Sequence, residues 1–467
     1  MDDRVALMQG EKEKLVDEIL ELRRQNQTLR QELEKLKEKI AGKSNPPQSS
    51  KFAAKKSGKP PHLWGRKPGH PGSWRAVPDD IDREVKQTLE ACPSCRHALG
   101  KAAAVDEHLQ EDIVPAHVEV TRFLRYRYWC SHCKKMWTAP YAADEVPCGH
   151  LGPRSLAMMV WLKYHLALPG NKIKDILHDL CGLTVSEGAI AQALQRLGNY
   201  LQIETVQILK AVKDSALKHV DETGWKVNGA GRWLWALINN QWAFFHIDPS
   251  RGSRVPKELL GVPHTGTVVS DFYSAYNKLL GDKQKCLVHL NRDIRQAREA
   301  FPRGEDPPPD FKDPHKKLKR LLEDAKRLAK RRGTLSLWVF TRRVRRLKDR
   351  LFQFGSDVYS HAFWQRISAR IFKHHQELLT FLDQPGVPSD NNAAERSIRP
   401  HVIIRNRSFQ NRTDQGALAH SRLSSILQTL RLQNRGVVEA LMSAYPKHRQ
   451  GHKAPILFLP ETMSRSV

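Results

Sequence analysis

Between residues 15 and 40, apolar side chains return at alternating intervals of four and three: Leu15, Ile19, Leu22, Leu29, Leu33, Leu36 and Ile40, with Asn26 filling one core position. This heptad seam has leucine at every d position and predicts a coiled-coil helix over 1–42. An Asn at an a position can bond to its mate in a parallel dimer, setting register and strand number. Glu18 with Arg23, and Glu32 with Lys37, are attractive g-to-e′ pairs across such a dimer. Self-association is expected, in preference to a single solvated helix. From 151 to 210 the apolar spacing is helical, broken at Gly182, and Ser186 is placed to cap the helix that follows. The outline is that of a helix-turn-helix DNA-binding region, though two bundle helices joined by a short turn read the same way.

Further on, the period changes to that of strands. Lys218–Val227 reads as a strand, Arg232–Asn239 and Gln241–His246 as a hairpin turning at Asn239-Asn240, and Gly266–Ser270 as a short apolar strand. Strand, hairpin, strand is the opening of an RNase H-like α/β sheet. Long Arg-rich helices are expected over 311–380, after the surface loop marked by Pro307-Pro-Pro-Asp310.

The chain has 467 residues, 40% of them apolar, enough for a substantial core, and a formal charge of +27. The excess is not spread evenly. Residues 43–75 hold eight bases and no acid, 311–350 sixteen bases and four acids, and 391–435 eight bases and two acids. Such concentration fits surfaces that follow a phosphate backbone, so nucleic acid is the expected partner. The 43–75 stretch, rich in Pro, Gly and Ser, cannot fold alone. It reads as an extended basic arm whose Arg66 and Lys67 could enter a minor groove, or as a flexible linker. No apolar run is long enough for a bilayer span, and no signal-like stretch follows Met1-Asp2-Asp3, which points to a cytoplasmic protein with no membrane partner.

Seven cysteines is an odd count, and four form the pairs Cys92–Cys95 and Cys130–Cys133, 34 residues apart. A metal site in a reducing compartment is favoured over disulfides. Four thiolates close a tetrahedral Zn²⁺ with no open position, so this zinc would be structural, within a module over 76–150. Asp221 lies in the first strand of the sheet, Asp271 ends a second, and Glu395 follows Asp390-Asn391-Asn392 in what reads as a short helix capped by Asn391. Arg396 and Arg399 stand about a turn apart on it.

Asp221-Glu-Thr-Gly-Trp, Ser270-Asp271-Phe-Tyr-Ser-Ala-Tyr276, Asp390-Asn-Asn-Ala-Ala-Glu395-Arg-Ser-Ile-Arg399-Pro and Arg405-Asn406-Arg407 together resemble the insertion sequence sixty-six family of bacterial DDE transposases. The resemblance runs over nearly the whole chain. It implies a retroviral-integrase-like catalytic domain over 211–435 with a helical insertion at about 300–385, followed by a C-terminal tail over 436–467. It also implies that Asp221, Asp271 and Glu395 form the catalytic triad and hold Mg²⁺ or Mn²⁺. Two such ions about 3.5–4 Å apart can activate a hydroxyl and stabilise an in-line leaving oxygen, keeping water and phosphate among their ligands. Asn391, Asn392, Arg396, Arg399, Arg405 and Arg407 are then expected near DNA, the last two standing where the family has Arg-Lys-Asn. Cys286-Leu-Val-His289 matches a family C-x-x-H element. With two ligands visible, a structural role joining strand to helix is favoured over a second metal. Double-stranded DNA, a homodimer or larger assembly and two small accessory proteins are the implied partners, in a bacterial nucleoid. Competing readings are a non-catalytic zinc-dependent DNA-binding regulator and a hydrolytic nuclease of the same fold.

Overall fold

A computed structural model describes residues 81–458, with short gaps at 102–104, 106–109, 111–112, 115, 302–305 and 409, together with Gln25. Gln25 apart, the heptad seam and the basic arm with Arg66 and Lys67 lie outside the described residues. The chain divides into two units, Met1–His108 and Leu109–Val467.

In the first unit, Cys92 opens a tight turn: the Arg96 amide donates to the Cys92 carbonyl at 2.8 Å, and Ala91 bridges Ala98. The second unit begins with the hairpin β1 (Arg127–Cys130) and β2 (Lys135–Thr138). Four helices follow: α1 (Pro153–Val160), α2 (Gly170–Cys181), α3 (Glu187–Tyr200) and α4 (Gln202–Asp214). Gly182 ends α2 in the left-handed region at φ +69°, where a Cβ would be strained. Ser186 caps α3 as expected, its hydroxyl accepting from the Ala189 amide at 3.1 Å.

The sheet comprises β3 (Leu217–Val227), β4 (Ala230–Ile238) and β5 (Ala243–Asp248), then helix α5 (Arg254–Leu260), β6 (Thr267–Ser270) and β7 (Asp282–Lys285). Its order is β5-β4-β3-β6-β7. The first three strands are antiparallel neighbours, while β6 runs parallel to β3 and β7 parallel to β6. Helix α6 (Leu287–Glu299) leads into a bundle of α7 (Pro309–Lys330), α8 (Leu337–Ser356) and α9 (Ala362–Leu378), closed by the short α10 (Thr380–Asp383). The chain then returns through α11 (Asn392–Ser408), α12 (Asp414–Leu432) and α13 (Val437–Arg449).

Two apolar cores result. One joins α1–α4, the sheet and α11–α13. The other spans Leu287–Leu382, so the insertion includes α6 and starts before the expected boundary near 300. Two further boundaries differ from the sequence reading. Residues 151–210 do not stand apart, because Ile190, Ala193, Leu194 and Leu197 of α3 are buried in the core they share with the sheet. Residues 436–458 are no tail, because Val437, Leu441, Ala444 and Tyr445 of α13 and Phe458 beyond it complete the same core. Buried Glu204 binds this segment, its Oε1 accepting from His448 at 2.9 Å and from the amides of Ile456 and Leu457 at 2.6 and 3.1 Å.

An edge strand with open amides invites pairing. Here α12 covers β5: the Ser425 hydroxyl accepts from the Phe245 amide at 2.9 Å, and the Thr429 hydroxyl from the Ala243 amide at 3.1 Å. Helix α12 also packs on α3 so closely that a Cβ on Gly198 would lie 3.1 Å from Ala419 Cα. Gly198→Leu should therefore wedge the two helices apart and cost about 1–3 kcal/mol, read as a lowered urea midpoint at unchanged slope.

Candidate active site

The parallel register places the acids. His219 of β3 pairs with Val269 of β6, and Ser270 pairs with Lys285 of β7. Continued two residues along β3 and β6, and one along β7, the same register sets Asp221, Asp271 and Cys286 side by side. Asp271 and Cys286 directly follow β6 and β7, while Asp221 lies within β3, two residues past its last parallel pair with β6, so all three are near the edge where open α/β sheets bind ligands. Asp271 stabilises its own turn, with Oδ1 accepting from the Tyr273 amide at 2.9 Å.

Glu395 reaches this edge on α11, which is fastened by the residue before it. Asn391 is 0% exposed. Its Oδ1 accepts from His219 Nδ1 at 3.0 Å, its Nδ2 donates to the Val220 carbonyl at 2.9 Å, and its amide donates to Cys286 Sγ at 3.2 Å. The expected DNA contact by Asn391 is thus corrected, because every polar group it has is used inside the protein. Nor is it the side-chain cap: Asp390 Oδ1 accepts from the Asn392 amide at 3.1 Å. Helix α11 is also longer than the short helix expected, running through Pro400. Half-buried Arg405 is tied to β3, donating from Nη1 to Thr223 Oγ1 at 3.1 Å and to the Gly224 carbonyl at 2.6 Å. Arg396, Arg399 and Arg407 are exposed, and Asn392 half-buried.

Sequence reasoning passed over a fourth acid. Strand alternation puts Glu222 on the face opposite Asp221, which gives no reason to join it to the site, yet its side chain is 2% exposed. Arg251 grips it through Nε and Nη2 at 3.0 and 2.8 Å, and the Tyr276 hydroxyl donates to Oε2. The guanidinium of Arg251 lies against two rings, 4.3 Å from the centroid of Trp233 and 4.0 Å from that of Tyr273. Lys285, also missed, is buried and donates to the Asp271 carbonyl at 3.0 Å and to Ser270 Oγ at 3.2 Å. Only their place in the Asp-Glu pair and the Asp271-Tyr273-Tyr276 segment hinted at Glu222 and Tyr276; Arg251 and Lys285 carry no sequence signal.

Burial raises the Asp221 carboxyl to about 7, helped by the charges of Glu222, Asp271 and Glu395 and opposed by the Glu222 amide. Burial also raises Glu222, opposed by Tyr276 and Arg251. Acids held this way gain most from a cation. The donor set fits one, since Glu395 Oε1 is buried without a hydrogen-bond partner and the carboxylates are hard oxygen ligands.

The two cysteine knuckles fall one in each unit. In each, a basic residue follows the second cysteine in the left-handed region, Arg96 at φ 63° and Lys134 at φ 50°. Amides of Cys95 and Ser94 hold the Cys92 thiol below its ordinary value, and those of Cys133 and His132 do so for Cys130. Donors aimed at sulfur favour thiolate, the form that binds metal.

Because the folded chain favours the protonated form of Asp221, the ordinary value being 3.8, folding stability should fall as pH rises from about 4 to 7. Urea midpoints at pH 5 and 7.5 should show that loss in the metal-free protein, and Asp221→Asn should shrink it. Millimolar Mg²⁺ should restore the wild-type midpoint at pH 7.5, where a cation replaces the proton.

A family model described as the transposase IS66 family matches residues 149–419, and one described as the zinc-finger binding domain of transposase IS66 matches 90–134. Two proteins of Sinorhizobium fredii (strain NBRC 101917 / NGR234) are similar. The uncharacterized protein y4jD is 22% identical over 380 residues, 74% of this chain and 72% of that protein. The uncharacterized protein y4qI is 25% identical over 388 residues, 73% and 68%. The first match alone covers more than half of the chain and includes all three expected acids: this protein belongs to the IS66 family of transposases.

Proposed function

We propose that the protein is a DDE transposase that binds the ends of an insertion sequence and cuts and joins DNA with divalent metal ions. The single observation that carries this reading is the nearness of Asp221, in β3 two residues past its pairing with β6, to Asp271 directly after β6, with the Glu395 helix anchored to β3 by Asn391. The strand order, three antiparallel then two parallel with a helix bearing the third acid, supports an RNase H-like domain.

In this reading Asp221, Asp271 and Glu395 hold Mg²⁺ or Mn²⁺, which supplies charge stabilisation for the attacking and leaving oxygens. The chain's own part is positional. Asn391 sets Glu395, Lys285 and the Tyr273 amide set Asp271, and Arg251 with Tyr276 holds Glu222 so that a fourth negative charge stays balanced beside the others. Cys92, Cys95, Cys130 and Cys133 are proposed to hold a structural Zn²⁺, as the zinc-finger match supports. Dimerisation through 1–42 and action in the cytoplasm, on the nucleoid, complete the proposal. Among the described residues no helix is long and apolar enough to cross a membrane.

The insertion supplies a DNA-facing surface. Helix α8 buries Phe340, Val344, Leu347 and Leu351, leaving Arg342, Arg343, Arg345 and Arg346 exposed beside Trp338, itself 68% exposed.

Wild-type protein should cleave and join labelled element ends in Mg²⁺, with accessory proteins added if needed. Asp271→Ala should bind the same DNA and lose more than the roughly 100-fold that removing a group outside a metal's ligand sphere costs. If both proteins bind equally and neither reacts, a DNA-binding regulator replaces the enzyme. Replacing Arg345 and Arg346 with Gln should lower the slope of log affinity against log salt by about two, and an unchanged slope would remove α8 from the interface.

A further inference from the structure

Cys286 and His289 offer two ligands in sequence, and the fold adds a third. Cys286 ends the run of β7, and His289 lies three residues on, in the first turn of α6, so both side chains face the same side of that turn. Glu395 arrives from α11. One donor atom from each of Cys286, His289 and Glu395 lies within 4.8 Å of the others, and among the described residues this is the one group of three or more such ligands found. His289 Nε2 stands 3.6 Å from Glu395 Oε1. That is too long for a hydrogen bond, and it matches the spacing of about 3.3–3.8 Å between ligands on a tetrahedral ion with bonds near 2.0–2.3 Å. Glu395 Oε1 is buried with no hydrogen-bond partner, although buried polar atoms are rarely left so. Cys286 Sγ is held in place by the Asn391 amide at 3.2 Å, the kind of contact that also surrounds the two knuckle thiols.

We propose that Cys286, His289 and Glu395 form a binding site for a zinc-class transition-metal ion, distinct from the hard-cation site of Asp221 and Asp271 and sharing Glu395 with it. One sulfur, one imidazole nitrogen and one carboxylate oxygen make a borderline-soft set. It selects Zn²⁺ over Mg²⁺, whereas the two aspartates offer oxygen alone. Three protein ligands leave one coordination position open, unlike the closed four-cysteine set. The inference does not rest on the transposase reading, since it needs only these three side chains, and zinc content is measured without any DNA.

The test is zinc stoichiometry on full-length protein, stripped with chelator and titrated with Zn²⁺ alone. The background is Cys92→Ser with Cys95→Ser, which removes the knuckle zinc. That background should retain one tightly held ion. His289→Ala, Cys286→Ser and Glu395→Gln, each added to it, should raise the zinc dissociation constant at least tenfold. His289 and Glu395 are only half-buried, so those two variants keep the test open if Cys286→Ser does not fold, as judged by circular dichroism. Cobalt substitution gives a second readout: one thiolate-to-cobalt charge-transfer band in the background, lost in Cys286→Ser. A background that holds no zinc at micromolar concentration overturns the site. So does zinc affinity unchanged by His289→Ala, and affinity unchanged by Glu395→Gln removes the third ligand and with it the proposal.

Discussion

The arrangement of this protein depends on one buried amide. Asn391 donates to β3 at Val220, accepts from His219 two residues before Asp221, and offers its own amide to the sulfur that follows β7. Three parts of the chain far apart in sequence meet there. A fully buried amide that lost any of these partners would bear the desolvation cost of the group left bare, about 1–3 kcal/mol each. That penalty favours one placement of α11 against the sheet, and so one placement of Glu395. The 123 residues between Asp271 and Glu395 can therefore form a separate body without loosening the site.

That body is tied down where it leaves and where it returns. On leaving, the Cys286 amide donates to the Ser270 carbonyl at 2.8 Å and the Leu287 amide to the Ser389 carbonyl at 2.9 Å, so the exit strand touches the return segment. On returning, buried Gln284 of β7 donates to the Leu378 carbonyl at 3.0 Å and accepts from the Phe381 amide at 2.9 Å. The bundle has its own core of Leu, Phe and Trp side chains, and its charge is carried outward on α7 and α8. A rigid basic appendage rooted beside the acids is suited to bringing a polyanion to them. Free acids alone would repel it.

The site itself works against stability. Asp221 and Glu222 are buried next to each other with Asp271 and Glu395 nearby, and both are pushed upward for that reason. The protein offsets part of this cost with Arg251, whose guanidinium binds Glu222 and lies against the Trp233 and Tyr273 rings, and with the Tyr276 hydroxyl. In the proposed reading, a bound cation would offset the rest. Charge held in excess of its internal partners is what makes a cation site bind, and it is also what a purely structural cluster would avoid.

Local chemistry in the sequence was sufficient for what depends on neighbours along the chain. The Ser186 cap, the break at Gly182, the hairpin at Asn239-Asn240, the strands carrying Asp221 and Asp271 and the basic helices of the insertion all follow from side-chain period, turn residues and charge within a few positions. Glu395 was legible through its resemblance to a family, since nothing local distinguishes an acid in a helix from any surface glutamate. What only the tertiary structure decided is where partners come from. Asn391 and Arg405, polar and close to basic residues, read as DNA contacts. Both bond to β3, which passes within reach, and Asn391 is fully buried by it; no local pattern records that. Residues 151–210 and 436–458 read as appendages, yet their apolar faces need the sheet and each other to leave water. Glu222, Arg251 and the third ligand beside Cys286 and His289 were hidden for the same reason: register and packing, set by which surfaces exclude water together, determine which distant side chains meet.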